Sequence, residues 1–319
     1  MRVVVLGNYM NAHFIHVDRL PRAGESLAAR RVFQEHGGKG LNLGVGLHRL
    51  GAAESRVEIC VDMLMAVGRD EAGASVRRAL AAEGMAMDQV LELGETSGFG
   101  VGFIAPDGSN FLAAHLGANA MLLPVHVDAI FDDIFAAGAV PGWVLGHFEV
   151  PLAVLRHAFA KARGQGTKTY LNPSPWQPLD ADFLGLVDVL VVNETEAAGL
   201  FGLDVVPAWS RAEWAAQLLA LVQRVPWRGE VLVVTLGDAG SVALDDRGAV
   251  HAAAAPKIDQ VDATGAGDAF GCGLVWALAQ GQSVQRALET GNACGAYIAA
   301  REGILAHLPR PGDLKLSPA

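Results

Sequence analysis

The stretch VDATGAGDAFGCG (Val261–Gly273) sets glycines on both sides of one carboxylate, Asp268, and leads straight into the apolar run LVWALA. Glycines this dense are poor helix material and poor strand material. A glycine turn that feeds a helix N-terminus has a use, because it presents free N–H groups and the positive end of the helix dipole. Together these suit a phosphate-sized anion. Gly265, Ala266 and Gly267 supply such a turn, and Asp268 follows in the first helical turn. Two readings stand at this point. Asp268 caps the helix over a tight glycine turn, or it works as an acid beside a bound anion. In the second reading the cradle holds a moving phosphoryl group while Asp268 takes the proton of an acceptor hydroxyl. Familiar phosphate loops do not match. A G-x-x-x-x-G-K-[ST] loop needs a lysine that this stretch lacks, and the dinucleotide spacing G-x-G-x-x-G also fails.

The surrounding composition narrows the class. The chain has 319 residues, 51% of them apolar, with a formal net charge of -10. Acids are spread along it, which argues against a nucleic-acid surface. Cys60, Cys272 and Cys294 are scattered without a CxxC pair, as suits a reducing cytosol and no zinc framework. The opening MRVVVLGNYMN has too short an apolar run for a signal segment. No apolar stretch approaches the ~18–20 residues that span a bilayer. The expectation is a cytoplasmic protein without a membrane or nucleic-acid partner.

Outward from the glycine stretch, β-rich runs alternate with helical patterns. VVVL (3–6), WVLGHF (143–148), TKTYLN (167–172), VDVLVVN (187–193) and VLVVTLG (231–237) read as strands, several of them almost continuously apolar. Strands covered on both faces look like this. GLNLGVGLHRLG, ASVRRALAAEG ending on Gly84, PLAVLRHAFAKARG running from Pro151 to a stop at Gly164, and RAEWAAQLLALVQRV read as helices. The alternation predicts an α/β, doubly wound, mostly parallel sheet. Residues 9–35 and 97–113 break it with antiparallel character, the second around an Asp107–Gly108 turn. They are read as a small β lid, and 1–8, 36–96 and 114–319 as the α/β core.

Two more polar clusters accompany this frame. EHGGKGLNLG places Gly38, Lys39 and Asn42 where a glycine turn enters a helix. NETEA (Asn193–Ala197) follows a strand end, where open α/β sheets bind ligands. Asn193 and Glu196, three apart, suit a capping box, a phosphate or Mg²⁺ shell, or both.

These clusters, in this order, resemble the ribokinase-like (pfkB) carbohydrate kinase family. GGKGLN is similar to its N-terminal signature, DATGAGDAFGCG to its C-terminal one, and NETEA and TLGDAGS to its internal motifs. The resemblance implies an ATP- and Mg²⁺-dependent kinase for a sugar or nucleoside hydroxyl, dimeric through the lid. It makes Asp268 the base and Gly265, Ala266 and Gly267 the anion hole. It puts Asn193 and Glu196 near the γ-phosphate and Mg²⁺. Thr235, Gly237 and Gly240 fall on the nucleotide loop, and Asn292 falls beside adenine. Gly38, Lys39, Asn42 and Glu149 fall on the acceptor side. Asp262 and Thr264 match a monovalent-cation (K⁺) site, with Gly303 a backbone contributor. Two departures stand out. Ala12 occupies the place of a lid aspartate that grips sugar hydroxyls, with Asn11 the candidate substitute, which argues against ribose itself. His307 occupies a last cation-ligand position that is often a serine.

Overall fold

The computed structural model describes residues 1–51, 56–106 and 110–314. The chain opens with β1 (Arg2–Leu6), then β2 (Met10–His16) and β3 (Arg31–Gly37). Next come α1 (Lys39–Gly51), β4 (Cys60–Val67), α2 (Glu71–Ala82), β5 (Val90–Glu92), β6 (Phe99–Ile104) and β7 (Asn110–His115). The middle of the chain holds α3 (Pro124–Ala136), β8 (Pro141–His147), α4 (Leu152–Gly164), β9 (Lys168–Asn172), α5 (Ala181–Leu184), β10 (Val189–Asn193) and α6 (Glu194–Phe201). It closes with α7 (Arg211–Val222), β11 (Val231–Thr235), β12 (Ser241–Asp245), β13 (Val250–Ala253), α8 (Ala266–Ala279) and α9 (Val284–Ala299).

Among the described residues, nine strands form one sheet in the order β13-β12-β11-β10-β9-β8-β1-β4-β5. All neighbours from β5 to β11 pair in parallel, and β12 and β13 add an antiparallel edge. The continuous apolar runs have their cause here. Val3 and Val5 enter one core, with α1, α2, α8 and α9. Val4 and Leu6 enter the other, with α3, α4, α6 and α7. Val189 and Val191 against Leu190 and Val192 repeat the division on β10. With both faces covered, each such side chain contributes about 1.5–3 kcal/mol by leaving water.

The lid is a separate sheet of order β3-β2-β6-β7. Its strands reach Gly37 and His115, two residues past each range read from the sequence. Each hairpin is antiparallel, as its turns suggest, but β2 and β6 join in parallel. The Asp107–Gly108 turn lies outside the described residues.

Helix α4 stops at Gly164, its last helical residue, as the sequence reads. The left-handed residue is Gly166, at φ +69°, and Pro151 stands just outside as the cap. Helix α8 begins at Ala266 and takes Gly267, Gly271 and Gly273 into itself. Tertiary packing overrides propensity there. A Cβ on Gly271 would collide with the Tyr170 hydroxyl, and one on Gly273 would come within 2.7 Å of Cys294 Sγ. On α1, a Cβ on Gly46 would run into Cys272 Sγ of α8. The glycines on α1 and α8 let the two helices lie close, and that closeness builds the site.

Candidate active site

Both helices start at the C-terminal ends of the parallel strands, and their first turns face each other. Gly265 caps α8 in the left-handed region at φ +76°, and a Cβ there would lie 2.6 Å from Ile304. Glycine is therefore required by backbone and by packing. Gly267 is different. Its φ is unremarkable, it is exposed, and a Cβ would meet nothing within 4 Å. Neither its backbone conformation nor its packing requires glycine, and the space beside it is open. Ala266 departs from its expected role as an anion donor, because its N–H closes a turn on the Ala263 carbonyl at 3.1 Å. The amides of Gly267 and Asp268 belong to the first-turn set that a helix leaves without intrahelical acceptors.

Asp268 is not the cap of α8. Its carboxylate accepts from Asn42 Nδ2 at 2.8 Å and lies 3.9 Å from Lys39 Nζ, with a tenth of the side chain exposed. Burial raises its pKa above the ordinary carboxylate range, while Lys39 and Asn42 pull it back down. The same pairing raises the pKa of Lys39, Asp268 being the main cause. Lys39 is therefore held as a cation against the acid. The Asn42 Oδ1 atom is buried and has no partner among the described residues.

The support around Lys39 and Glu149 rests on two residues that sequence reasoning missed. Buried Asn8, just past β1, accepts from Gly40 N at 3.0 Å and donates to Glu149 Oε2 at 2.7 Å. Glu149 Oε2 also accepts from Lys39 N at 3.2 Å. Gly38 sits at φ +117°, where a Cβ would collide with the Asn8 carbonyl. His147, at the end of β8, accepts from Glu149 N on Nδ1 at 3.1 Å. Burial, helped by nearby Lys39, lowers its pKa to about 3, so it is neutral with its proton on Nε2. The signal for Asn8 was its place at a strand's C-terminal end. His147, the last residue of β8, carried the same signal.

At the C-terminal end of β10, Asn193 caps α6 and exchanges bonds with Glu196 in both directions, each at 2.9 Å. Glu196 is buried and lines a cleft of about 230 Å³ together with Lys39, Asn193, Thr235, Gly267 and Asp268. Thr235 and Gly267 also border a larger cleft of about 520 Å³ lined by Gly237, Gly240, Phe270 and Asn292. The two clefts thus meet in front of Asp268. Asn292 Nδ2 bonds the carbonyls of Ala253 (3.1 Å) and Ala254 (3.4 Å), which fixes the cleft wall and commits its donors.

Three expectations fare differently. Asn11 lies on the lid face opposite to Ala12, since successive strand residues alternate, and its Oδ1 accepts from Gln34 Nε2 at 2.6 Å. It does not occupy the face on which Ala12 lies. Asp262 Oδ1 accepts from both the amide (2.9 Å) and the hydroxyl (2.7 Å) of Thr264. His307 is exposed in a short 3₁₀ turn.

A doubly wound sheet with an acid and a lysine before a glycine cradle, at the junction of two clefts, defines a phosphotransferase acting on a small molecule's hydroxyl. Residues 1–310 match the model of the pfkB family carbohydrate kinases, and the chain belongs to that family. It is 29% identical to a ribokinase of Haemophilus influenzae over 96% of this chain and 95% of that protein. It is 30% identical to a deoxyribokinase of Salmonella typhi, covering 85% and 84%. A solved ribokinase from Cryptococcus neoformans in complex with ADP superposes with a TM-score of 0.79 at 25% identity, covering 98% of each chain.

Proposed function

We propose that the protein transfers the γ-phosphoryl group of ATP to a hydroxyl of a sugar or sugar-like acceptor, with Asp268 as general base. The observation that carries this reading is the place of Asp268, buried between Asn42 and Lys39 where the two clefts meet. ATP fits the larger cleft, with Thr235, Gly237 and Gly240 along it and the amide of Gly267 at its phosphate end. The acceptor fits the lid side, where the unpartnered Asn42 Oδ1 takes an acceptor hydroxyl. Asp268 removes the proton of the reacting hydroxyl, its oxygen bonds to the γ-phosphorus, and the bond to ADP breaks. Lys39 offsets the charge that gathers on the phosphoryl oxygens.

Glu196 offers a hard oxygen donor beside Asn193 and fits a water-rich Mg²⁺ shell. Mg²⁺ bound there supplies neutralisation of the phosphate oxygens. K⁺ fits poorly, because one Asp262 oxygen is committed to Thr264 and His307 offers nitrogen where oxygen is preferred. ADP release with a panel of sugars and nucleosides tests the reading. Asp268→Asn should lower turnover at least ~10²-fold, the lower end for loss of a general base. Full turnover in that variant would sink the assignment.

The outer lid face exposes Val32 (61%) and Phe111 (67%), which supports a homodimer through the lid. Light scattering should report a dimer that Phe111→Lys dissociates; a monomeric wild type refutes this. Among the described residues no helix is long and apolar enough to cross a membrane. We read the protein as cytoplasmic, which fractionation of its host cells tests, recovery in the membrane pellet being the contrary result.

A further inference from the structure

The lid register pairs Ala12 with Glu35 on β3 and with Gly100 on β6. Two residues on, Phe14 pairs with Phe33 and with Gly102. These six residues share one face of the sheet, because strand side chains alternate. Two contacts show that this face looks onto the core. Glu35 Oε1 accepts a hydrogen bond from the amide of Ile304. Ile304 in turn packs against Gly265, the cap of the phosphoryl cradle.

On this inner face the chemistry is lopsided. The Phe14 and Phe33 rings stack at 4.9 Å, and Ala12, Gly100 and Gly102 add no polar atom. Glu35 is the one polar side chain among the six. Its neighbour across the gap, Gly303, holds φ +90°, and a Cβ there would lie 3.3 Å from Glu35 Oε1. Glycine leaves room for the carboxylate. A carboxylate has about four lone-pair sites, so the tie to Ile304 leaves capacity for more donors.

We propose that Glu35 is the specificity-determining residue of the lid, accepting hydrogen bonds from the hydroxyls of a polyhydroxylated acceptor whose reacting hydroxyl faces Asp268. The inference rests on the kinase reading above. Ala12 and Gly100, the small residues paired beside Glu35, put no polar group in competition with it for a sugar's hydroxyls. Paired strand residues lie about 4.5–5.5 Å apart. Glu35 therefore reads hydroxyls about that far from those an acid at position 12 would reach, and the acceptor is gripped at a different edge of its ring.

Glu35→Gln separates this role from a purely structural one, since it keeps a carbonyl oxygen for Ile304 and loses the charge. Calorimetry without ATP gives Kd values for D-ribose, 2-deoxy-D-ribose and D-fructose in both proteins. The Kd of the best-bound sugar should rise at least about tenfold in the variant, the size of one charge-assisted hydrogen bond. Tm and the KM for ATP should stay unchanged. Moving the acid, with Ala12→Asp and Glu35→Ala together, should change which sugar binds best. An unchanged sugar Kd in Glu35→Gln overturns the assignment, and so does an equal rise in the KM for ATP, the mark of a loosened Ile304 tie. A wild type that binds none of the three sugars overturns it as well. Failure of the kinase reading is a separate result, namely no ADP released by the wild type with any hydroxyl acceptor.

Discussion

Replacing Gly267 by alanine should make the protein more stable and less active. The residue lies second in α8, its φ is outside the left-handed region, and an added Cβ touches nothing within 4 Å. No clash opposes the change. Alanine is favoured over glycine in helices by roughly 0.5–1 kcal/mol, and a first-turn position falls at the lower end. Unfolding entropy of about 2.1 cal/mol/K per residue over 319 residues is about 0.7 kcal/mol/K. A gain of about 0.5 kcal/mol is then worth under about 1 °C, so urea denaturation is the better measure. The activity term has the opposite sign. The methyl group enters the space where both clefts meet and holds the phosphate away from the first-turn amides. Hydrogen bonds to a charged group contribute about 1.5–3 kcal/mol each. Loss of one or two lowers kcat/KM for ATP between about tenfold and 10⁴-fold. A variant less stable than wild type, or one with kcat/KM for ATP within about twofold of it, would refute the reasoning.

The same substitution at Gly240 should act in reverse, since φ is +100° and the methyl would collide with the Ala253 carbonyl. A loss of about 1–3 kcal/mol is expected from the backbone alone, read from urea midpoints; an unchanged midpoint would count against it. Lys39→Met removes the charge that lowers the raised pKa of Asp268, so the acid must lose its proton at higher pH. The acid limb of the kcat–pH profile should move upward, and a downward move or none contradicts the assignment. Glu196→Gln keeps an oxygen for the Asn193 amide and so preserves the capping box. Stability should hold within about 0.5 kcal/mol while the Mg²⁺ needed for half-maximal rate rises about tenfold or more; an unchanged Mg²⁺ requirement would remove Glu196 from the metal shell.

What could be read in the sequence follows from the range of the interactions involved. Val189–Val192 announced a strand covered on both sides, because nearest neighbours alone carry that pattern. The Asn193–Glu196 exchange was legible for the same reason, its partners being three residues apart. Asp268 stood out by its glycines, but whether it capped the helix depended on Asn42, 226 residues away. The Asn8–Glu149 bond spans 141 residues and left no local trace. Period-two alternation already set Asn11 and Ala12 on opposite faces. Which face looks inward was decided only by Glu35 meeting Ile304. Helix α8 absorbed its glycines because α1 and α9 press on it, and no propensity scale contains that pressure.

Strands β10 and β11 pair in parallel from Val189↔Val231 to Asn193↔Thr235 without an offset. The backbone thus works as a ruler. Asn193 and Thr235 at the strand ends are spaced by one interstrand step, about 4.8 Å, whatever the loops beyond them do. Those loops can drift in length and composition through the history of such a protein, altering what is admitted, while this gauge between its two working edges stays the same.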